Sequence, residues 1–274
     1  MSYDVIIIGG GPGGTRAAAL LAAAGKRVAL IEDRHWGGTC LNCGCIPTKM
    51  LLGAAAPSEL IQAQQRLRVL KGESSVDFAA LQNRIRRFLK GSSQTLARNL
   101  TAQGVTLLEG RGTCLGEGRV QVKTADGEHE IQGTDIILSC GSRNAVFPGL
   151  APDGDCVLDS TGLLELDEIP ESLIVVGAGA IGLELGHFFG SQGSKVTIVE
   201  AAPHVAPLED TDIADELRKI LTKSGKTGYV QDLSRRRACP GPGYQRRTGG
   251  TDSGGRSRAD CRQGTRRCGP HPQQ

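Results

Sequence analysis

Two stretches of this chain repeat one pattern, and that repeat constrains the fold more than any other feature. YDVIIIGGGPGGTRAAALLAAAGKRVALIE opens the chain, and SLIVVGAGAIGLELGHFFGSQGSKVTIVE begins at Ser172. Each starts with a short apolar run, Val5 to Ile8 or Leu173 to Val176, that leads into a glycine cluster. A helix rich in small residues follows, Gly13 to Ala24 in the first copy and Ala180 to Phe189 in the second. Gly25 closes the first helix, as a residue at C′ often does. A second apolar run, Val28 to Ile31 or Val196 to Val199, then ends in an acid, Glu32 or Glu200. Short runs that are apolar throughout read as strands buried on both faces of a parallel sheet. From first glycine to acid is 23 positions in both copies, Gly9 to Glu32 and Gly177 to Glu200. The expected fold class is therefore α/β, with two βαβ units of equal dimensions.

Within each unit the three glycines have separate tasks. In Gly9-x-Gly11-x-x-Gly14 the first permits a tight turn, the second lets a pyrophosphate approach the backbone, and the third lets helix pack on strand. The helix start then presents free N–H groups and a positive dipole end to the phosphates. Gly177, Gly179 and Gly182 repeat the arrangement. Both units read as Rossmann-like dinucleotide sites. Glu32 is placed to accept hydrogen bonds from an adenosine ribose, and Glu200 would repel a 2′-phosphate, which favours NAD over NADP. Two such units in one chain suggest two dinucleotides, and the economical pairing is FAD with NAD(H).

The rest of the chain falls into zones. Residues 58–103 place apolar side chains at helical spacing with charges between. Residues 105–138 alternate as strands do, with a hairpin signal at Asp126-Gly127. Gly149 to Pro170 is loop-rich and joins the two units. Beyond Lys226 the composition turns to Arg and Gly, with no Ile, Phe, Met or Trp. Such a segment buries too little apolar surface to offset chain ordering, about 1–2 kcal/mol per residue, and is expected to be disordered. The expected division is a first domain over 1–150, a second over 151–226 and a basic tail over 227–274. Ten arginines against three aspartates give the tail +7; the whole chain is +3, so residues 1–226 carry −4. The tail as a nucleic-acid-binding segment is the weaker reading beside solvated disorder. No basic and apolar leader precedes Val5, and no apolar run approaches the roughly 18 residues of a membrane span. The expected compartment is the cytoplasm, without membrane attachment.

GGTCLNCGCIPTK, residues 37–49, holds Cys40, Cys43 and Cys45 directly after the first unit. Structural disulfides are rare in the cytoplasm, which weakens a staple. Zinc sites pair two C-x-x-C elements, and Cys40-x-x-Cys43 has no second pair nearby, so no metal is expected. A redox pair and small buried side chains remain.

The wording of this segment resembles the redox-active motif of the pyridine nucleotide–disulfide oxidoreductases: GGTC, four residues, then C-[IV]-P-[ST]-K. The likeness runs from residue 3 to about 225. It takes in both glycine motifs and DIILSCGSRNAVFPG, similar to the family's strand ending ATGS-x-P. Ser139-Cys140 stands there for Ala-Thr, and Asn144 for proline. The resemblance implies that Cys45 lies against the flavin as the charge-transfer thiolate and that Cys40 is the interchange thiol facing the substrate. Cys43 is left to packing. Lys49 would sit near flavin N5, paired with Glu184. Cofactor contacts are implied for Gly38, Thr39, Lys49, Gly112, Ser139 and Gly141 on the FAD side, and for Ile181 beside the second glycine cluster.

Within the family, Glu200 and the CIPTK wording favour the branch that oxidises dihydrolipoamide with NAD. Glutathione and mercuric reductases are the alternatives, and Cys261 and Cys268 are not the adjacent pair expected of the latter. A lipoyl-bearing protein or a small disulfide would be the partner. Family members continue into a second FAD segment and a dimer-interface domain whose His-Glu pair serves Cys40 of the other subunit. Neither is recognisable, and His271-Pro272 lacks the glutamate. The change near Lys226 reads as a shifted reading frame, which makes a poorly active, truncated chain or an inactive nucleotide-binding fragment the expectation.

Overall fold

The computed structural model describes residues 2–72, 75–223, 227–231 and 266–268. They fall into two units, Met1–Met50 with Ala80–Arg143, and Leu51–Ala79 with Asn144–Gln274. The segment around residues 51–79 groups with the second unit. There the Phe78 ring lies 6.1 Å from Phe188 and 6.2 Å from Phe189, and His187 Nε2 is 3.1 Å from Glu59 Oε1.

The first unit is built in chain order from β1 (Ser2–Ile8), α1 (Pro12–Ala23), β2 (Val28–Glu32), α2 (Gly38–Cys43), the start of α3 (Cys45–Arg66), most of α4 (Phe78–Ala102), β3 (Thr106–Glu109), β4 (Arg111–Gly116), β5 (Arg119–Thr124) and β6 (Gly127–Leu138). Its six strands lie in the order β3-β2-β1-β6-β5-β4. The apolar runs of β1 and β2 are explained by cover on both faces. Ile6, Ile8, Ala29 and Ile31 pack with Val120, Val122 and Ile131 on one side. Val5, Ile7, Val28 and Leu30 pack with Ala18, Trp36, Leu100 and Val105 on the other. Each large aliphatic buried this way contributes about 1.5–3 kcal/mol.

β6 serves two ladders. Gly127 to Gln132 pairs antiparallel with β5 across the hairpin, and Gln132 to Leu138 pairs parallel with β1. Gly133 stands at the changeover, where a Cβ would approach the Ile6 side chain at 2.8 Å. Helix α3 begins at Cys45, well before the periodic segment at 58 that suggested it, and carries Pro57 in its interior.

The second unit contains β7 (Val157–Leu158), α5 (Ser160–Leu164), β8 (Ser172–Val176), α6 (Ala180–Ser191), β9 (Lys195–Glu200), α7 (Thr211–Lys223), β10 (Thr227–Gln231) and β11 (Arg266–Cys268). The strands are parallel, in the order β10-β9-β8-β11-β7. β10 extends the ordered sheet beyond Lys226: TGYVQ follows the change in composition yet pairs along β9 from Val196 to Glu200. The disorder expected over 227–274 otherwise falls on residues outside those described, apart from β11.

The two βαβ copies match bond for bond. Val5 pairs with Val28 and Leu173 with Val196. Gly9 N–H donates to the Ile31 carbonyl, and Gly177 N–H donates to the Val199 carbonyl, both at 2.8 Å.

Candidate functional site

In the first unit β2 lies on one side of β1 and β6 on the other, so the chain reverses direction across the sheet beside β1. A crevice at the carboxyl ends of the strands beside such a reversal is where open α/β sheets bind ligands. Gly9, Gly11 and Gly14 occupy the turn that leaves β1 there. Gly9 has φ +111°, and a Cβ on it would run into the Ser139 carbonyl at the end of β6. A Cβ on Gly14 would strike the Gly9 carbonyl oxygen and come within 3.3 Å of Ile7 Cγ2. Gly11 differs: its nearest neighbour would be Gly38 Cα at 3.9 Å. The first and third glycines are thus required by packing, and the second leaves open approach. Helix α1 has no side-chain cap and no acid in its first turn, so its leading N–H groups are available to an anion. These features fit the pyrophosphate of a dinucleotide.

The second unit repeats the cradle. Gly177 has φ +104°, Gly179 has no atom within 4 Å of a built Cβ, and a Cβ on Gly182 would meet the Gly177 carbonyl and Val175 Cγ1. Helix α6 likewise starts without a side-chain cap. Ile181 is exposed in its first turn.

Both terminal acids do more than the sequence suggested. Glu32 Oε2 accepts from Gly10 N–H at 2.7 Å, and its Oε1 accepts from Arg34 N–H at 2.9 Å. Glu200 Oε2 accepts from Ala178 N–H at 2.7 Å, and its Oε1 accepts from Ala202 N–H at 2.8 Å. Each carboxylate therefore braces the glycine turn to the loop after the second strand. Each oxygen keeps a further lone pair for a ribose hydroxyl.

The cysteines lie on two helices, not one. Gly37 and Gly38, at φ +96° and +56°, turn the chain into α2, which carries Thr39, Cys40 and Cys43. Gly44, at φ −145° and ψ −110°, ends it, and α3 starts at Cys45. On one continuous helix residues five apart point about 140° away from each other. The break at Gly44 undoes that divergence and brings Cys45 beside Cys40, where it is the main influence on the Cys40 thiol. Cys40 is pushed above the ordinary thiol range, first by the Cys45 side chain, then by burial and by negative charge on Cys45; the Lys49 ammonium pulls the other way. Cys45 is exposed at the first position of α3, where the helix dipole favours negative charge.

Three supports around this segment carried no sequence signal. The Trp36 carbonyl accepts from Asn42 Nδ2 at 3.1 Å and from Ser93 Oγ at 2.9 Å, tying α2 and α4 to one atom. Trp36 is buried and its indole N–H donates to Glu109. Gly37 N–H donates to the Gly10 carbonyl at 2.8 Å, linking the glycine turn to the cysteine segment. Nothing in the residues around Trp36 hints that its carbonyl, rather than its ring alone, is used.

The remaining expected residues divide. Ser139 directly follows β6, its N–H donating to the Ile8 carbonyl at 2.8 Å, and Gly141 has φ +70° with open space around it, as an approach to a cofactor requires. Leu138, before them, is 66% exposed at the same strand end. Gly112 sits in β4, where a Cβ would approach Ile31 Cδ1 and Ile8 Cγ2 at 3.2 Å, so packing favours a glycine there, and its cofactor contact stays an expectation. Lys49 belongs to the first unit and Glu184 to the second, so their expected pairing stays an expectation. Asn144, standing for proline, donates to Asp159 Oδ2 at 2.7 Å, and Asp159 caps α5 through Gly162 N–H.

Comparison with known proteins agrees with this geometry. Residues 3–228 match the sequence profile described as pyridine nucleotide-disulphide oxidoreductase. The chain is 39% identical over 227 residues to a dihydrolipoyl dehydrogenase of Chlorobaculum tepidum, covering 82% of this chain and 48% of the relative. It is 38% identical to dihydrolipoyl dehydrogenase 3 of Pseudomonas putida, with 82% and 49% covered. Among solved structures, the Cu(II) complex of the HOCl-induced flavoprotein disulfide reductase RclA of Escherichia coli superposes with a TM-score of 0.72 at 34% identity, over 84% of this chain and 49% of that one. The chain thus spans about half the length of the relatives it matches. Proteins of this type use FAD and NAD. No helix among the described residues is long and apolar enough to cross a membrane. The glycine turns, the paired thiols and the match over residues 3–228 place this chain in the pyridine nucleotide-disulphide oxidoreductase family.

Proposed function

We propose that this chain supplies the two dinucleotide cradles and the redox thiols of a flavoprotein disulfide oxidoreductase that converts dihydrolipoamide and NAD to lipoamide and NADH. The observation that carries the reading is the helix break at Gly44 that sets Cys45 beside Cys40, adjoining a cradle whose glycine geometry fits FAD. In the oxidised state these two sulfurs are joined. A substrate thiolate attacks Cys40 Sγ, the S–S bond breaks, and Cys45 leaves as thiolate with Lys49 as the nearby positive charge. The second substrate thiol attacks the sulfur now bound to Cys40, which forms the substrate disulfide and returns Cys40 as a thiol. Two electrons then reside on the Cys40–Cys45 dithiol.

FAD, when bound, supplies the two-electron relay between that dithiol and the nicotinamide. Gly9, Gly11, the α1 N-terminus, Glu32, Gly38, Thr39, Ser139 and Gly141 are assigned to it. Gly177, Gly179, Ile181, Gly182 and Glu200 are assigned to NAD. Lys49 and Glu184 are assigned to the flavin by family resemblance. The oxidised substrate is a lipoyl group on a carrier protein, the working assembly a homodimer and the compartment the cytoplasm.

The test is electron delivery. The air-oxidised chain is incubated anaerobically with FAD and NADH, and newly alkylatable thiols are mapped by mass spectrometry. Label appearing at both Cys40 and Cys45, and dependent on both cofactors, is expected. Thiols that stay blocked while dithiothreitol opens them would overturn the reading.

A further inference from the structure

Helix α4 carries Arg84, Arg86, Arg87, Lys90 and Arg98 and no acidic residue from Phe78 to Ala102. All five cations are exposed. Its apolar side chains turn inward: Ile85 and Leu100 are buried, and Leu96 packs on the core. Arg84 and Arg87, and Arg87 and Lys90, are three apart, and Arg86 and Lys90 four apart, so like charges face each other along the helix. Four of the five crowd into the seven residues from Arg84 to Lys90. Among the described residues, Arg84, Arg87, Lys90 and Arg98 form no ion pair; Arg87 donates to the Asn83 carbonyl and Arg98 to Thr95 Oγ1. Arg84, Arg87, Lys90 and Arg98 therefore concentrate positive charge outside any ion pair among the described residues, on a body that carries −4 over residues 1–226.

The position is informative. Ser93, on the same helix, donates to the Trp36 carbonyl that also holds Asn42 of α2. The helix bearing the cationic strip and the helix bearing Cys40 thus share one carbonyl acceptor. We infer that the exposed face of α4 is a docking strip for an acidic, carboxylate-bearing segment of a protein; resting on the function proposed above, that protein is the carrier that brings a disulfide or dithiol to Cys40. From Arg84 to Arg98 the strip runs about 21 Å along the helix. Charge complementarity selects the occupant. A lipid surface requires a broad apolar face, and Phe88, 50% exposed, is the large apolar side chain that α4 leaves open. A second copy meeting this strip with its own strip would oppose cation to cation.

The probe is a short polyglutamate peptide joined to the full chain by a zero-length carbodiimide, which couples carboxylates to lysine amines. The tail over 227–274 has ten arginines and no lysine, so it offers the carbodiimide no amine of its own. Lys90 is expected to be the dominant crosslinked lysine. Arg84→Gln with Arg87→Gln is expected to lower that crosslink about three- to tenfold, as loss of two exposed charge pairs implies, and added salt should lower it too. Exchange of the Cys40–Cys45 pair with free dihydrolipoamide should be unchanged by the two substitutions. That second readout separates the two readings: failed exchange with a persistent Lys90 crosslink sinks the redox assignment and leaves the strip standing. Crosslinks spread evenly over the lysines, or indifferent to the double substitution, would overturn the strip. Displacement of the peptide by a single-stranded oligonucleotide or a phosphatidylserine vesicle at lower concentration than by free peptide would also overturn it.

Discussion

The second and third glycines of each cradle should separate stability from ligand binding. Gly14→Ala places a Cβ against the Gly9 carbonyl oxygen and within 3.3 Å of Ile7 Cγ2. The obstruction is backbone at the end of a central strand, so no rotamer change relieves it. Overpacking of this kind costs about 1–3 kcal/mol, and the upper end applies here. Reduced unfolded-state entropy returns only about 0.4–1 kcal/mol. A net loss of about 2 kcal/mol corresponds to a melting temperature lower by about 8 °C for a unit of this size. Gly11→Ala meets nothing closer than Gly38 Cα at 3.9 Å, and Gly11 has φ −72°, which alanine adopts freely. Its melting temperature should hold or rise slightly, while the methyl group stands where a pyrophosphate approaches and lowers FAD affinity by about tenfold or more, 1.4 kcal/mol. Thermal unfolding and FAD titration on the two variants read both quantities. Equal destabilisation by both substitutions, or undiminished FAD binding by Gly11→Ala, would refute the reasoning.

Other consequences concern the acid, the helix break and the thiol pair. Glu200→Arg should raise the NADP-to-NAD affinity ratio about tenfold. It should also weaken binding of both, because Ala178 and Ala202 lose their acceptor; titrations with the two nucleotides check this. Gly44→Ala puts a Cβ 2.9 Å from the Thr39 carbonyl oxygen. It should move Cys45 away from Cys40 and slow formation of their disulfide in a redox-buffer time course. Cys40 sits above the ordinary thiol range chiefly through Cys45. Cys45→Ala should therefore shift the pH profile of Cys40 alkylation to lower pH, with more thiolate at any given pH, and Lys49→Gln in the parent chain should shift it to higher pH.

Much of the architecture was legible because it is written in spacing. Two runs that cannot alternate, three glycines with different neighbours and an acid at a fixed distance specify a parallel βαβ unit, and the second copy repeats it. What escaped reading depends on single backbone atoms. Nothing in LNCGC states that Gly44 breaks the helix, because glycine is tolerated within helices at modest cost. The Trp36 carbonyl as a shared acceptor, and the carboxylates of Glu32 and Glu200 as turn braces, follow only from the placement of loops. Gly112 is expected as a cofactor contact by family resemblance alone, and its packing against Ile31 and Ile8 gives the glycine a second reason that spacing does not show. The boundary at Lys226 followed composition, whereas backbone pairing along β9 carries β10 past it.

The account rests on Cys40 and Cys45 acting together without Cys43, which lies three residues from Cys40 on the same helix and is a sterically reasonable rival. Differential alkylation of the air-oxidised and the dithiothreitol-reduced chain, followed by peptide mass mapping, tests this directly. The account predicts a Cys40–Cys45 bond in the oxidised chain, with Cys43 alkylated in both states. A disulfide that includes Cys43, or three thiols that stay open to alkylation after oxidation, would contradict it.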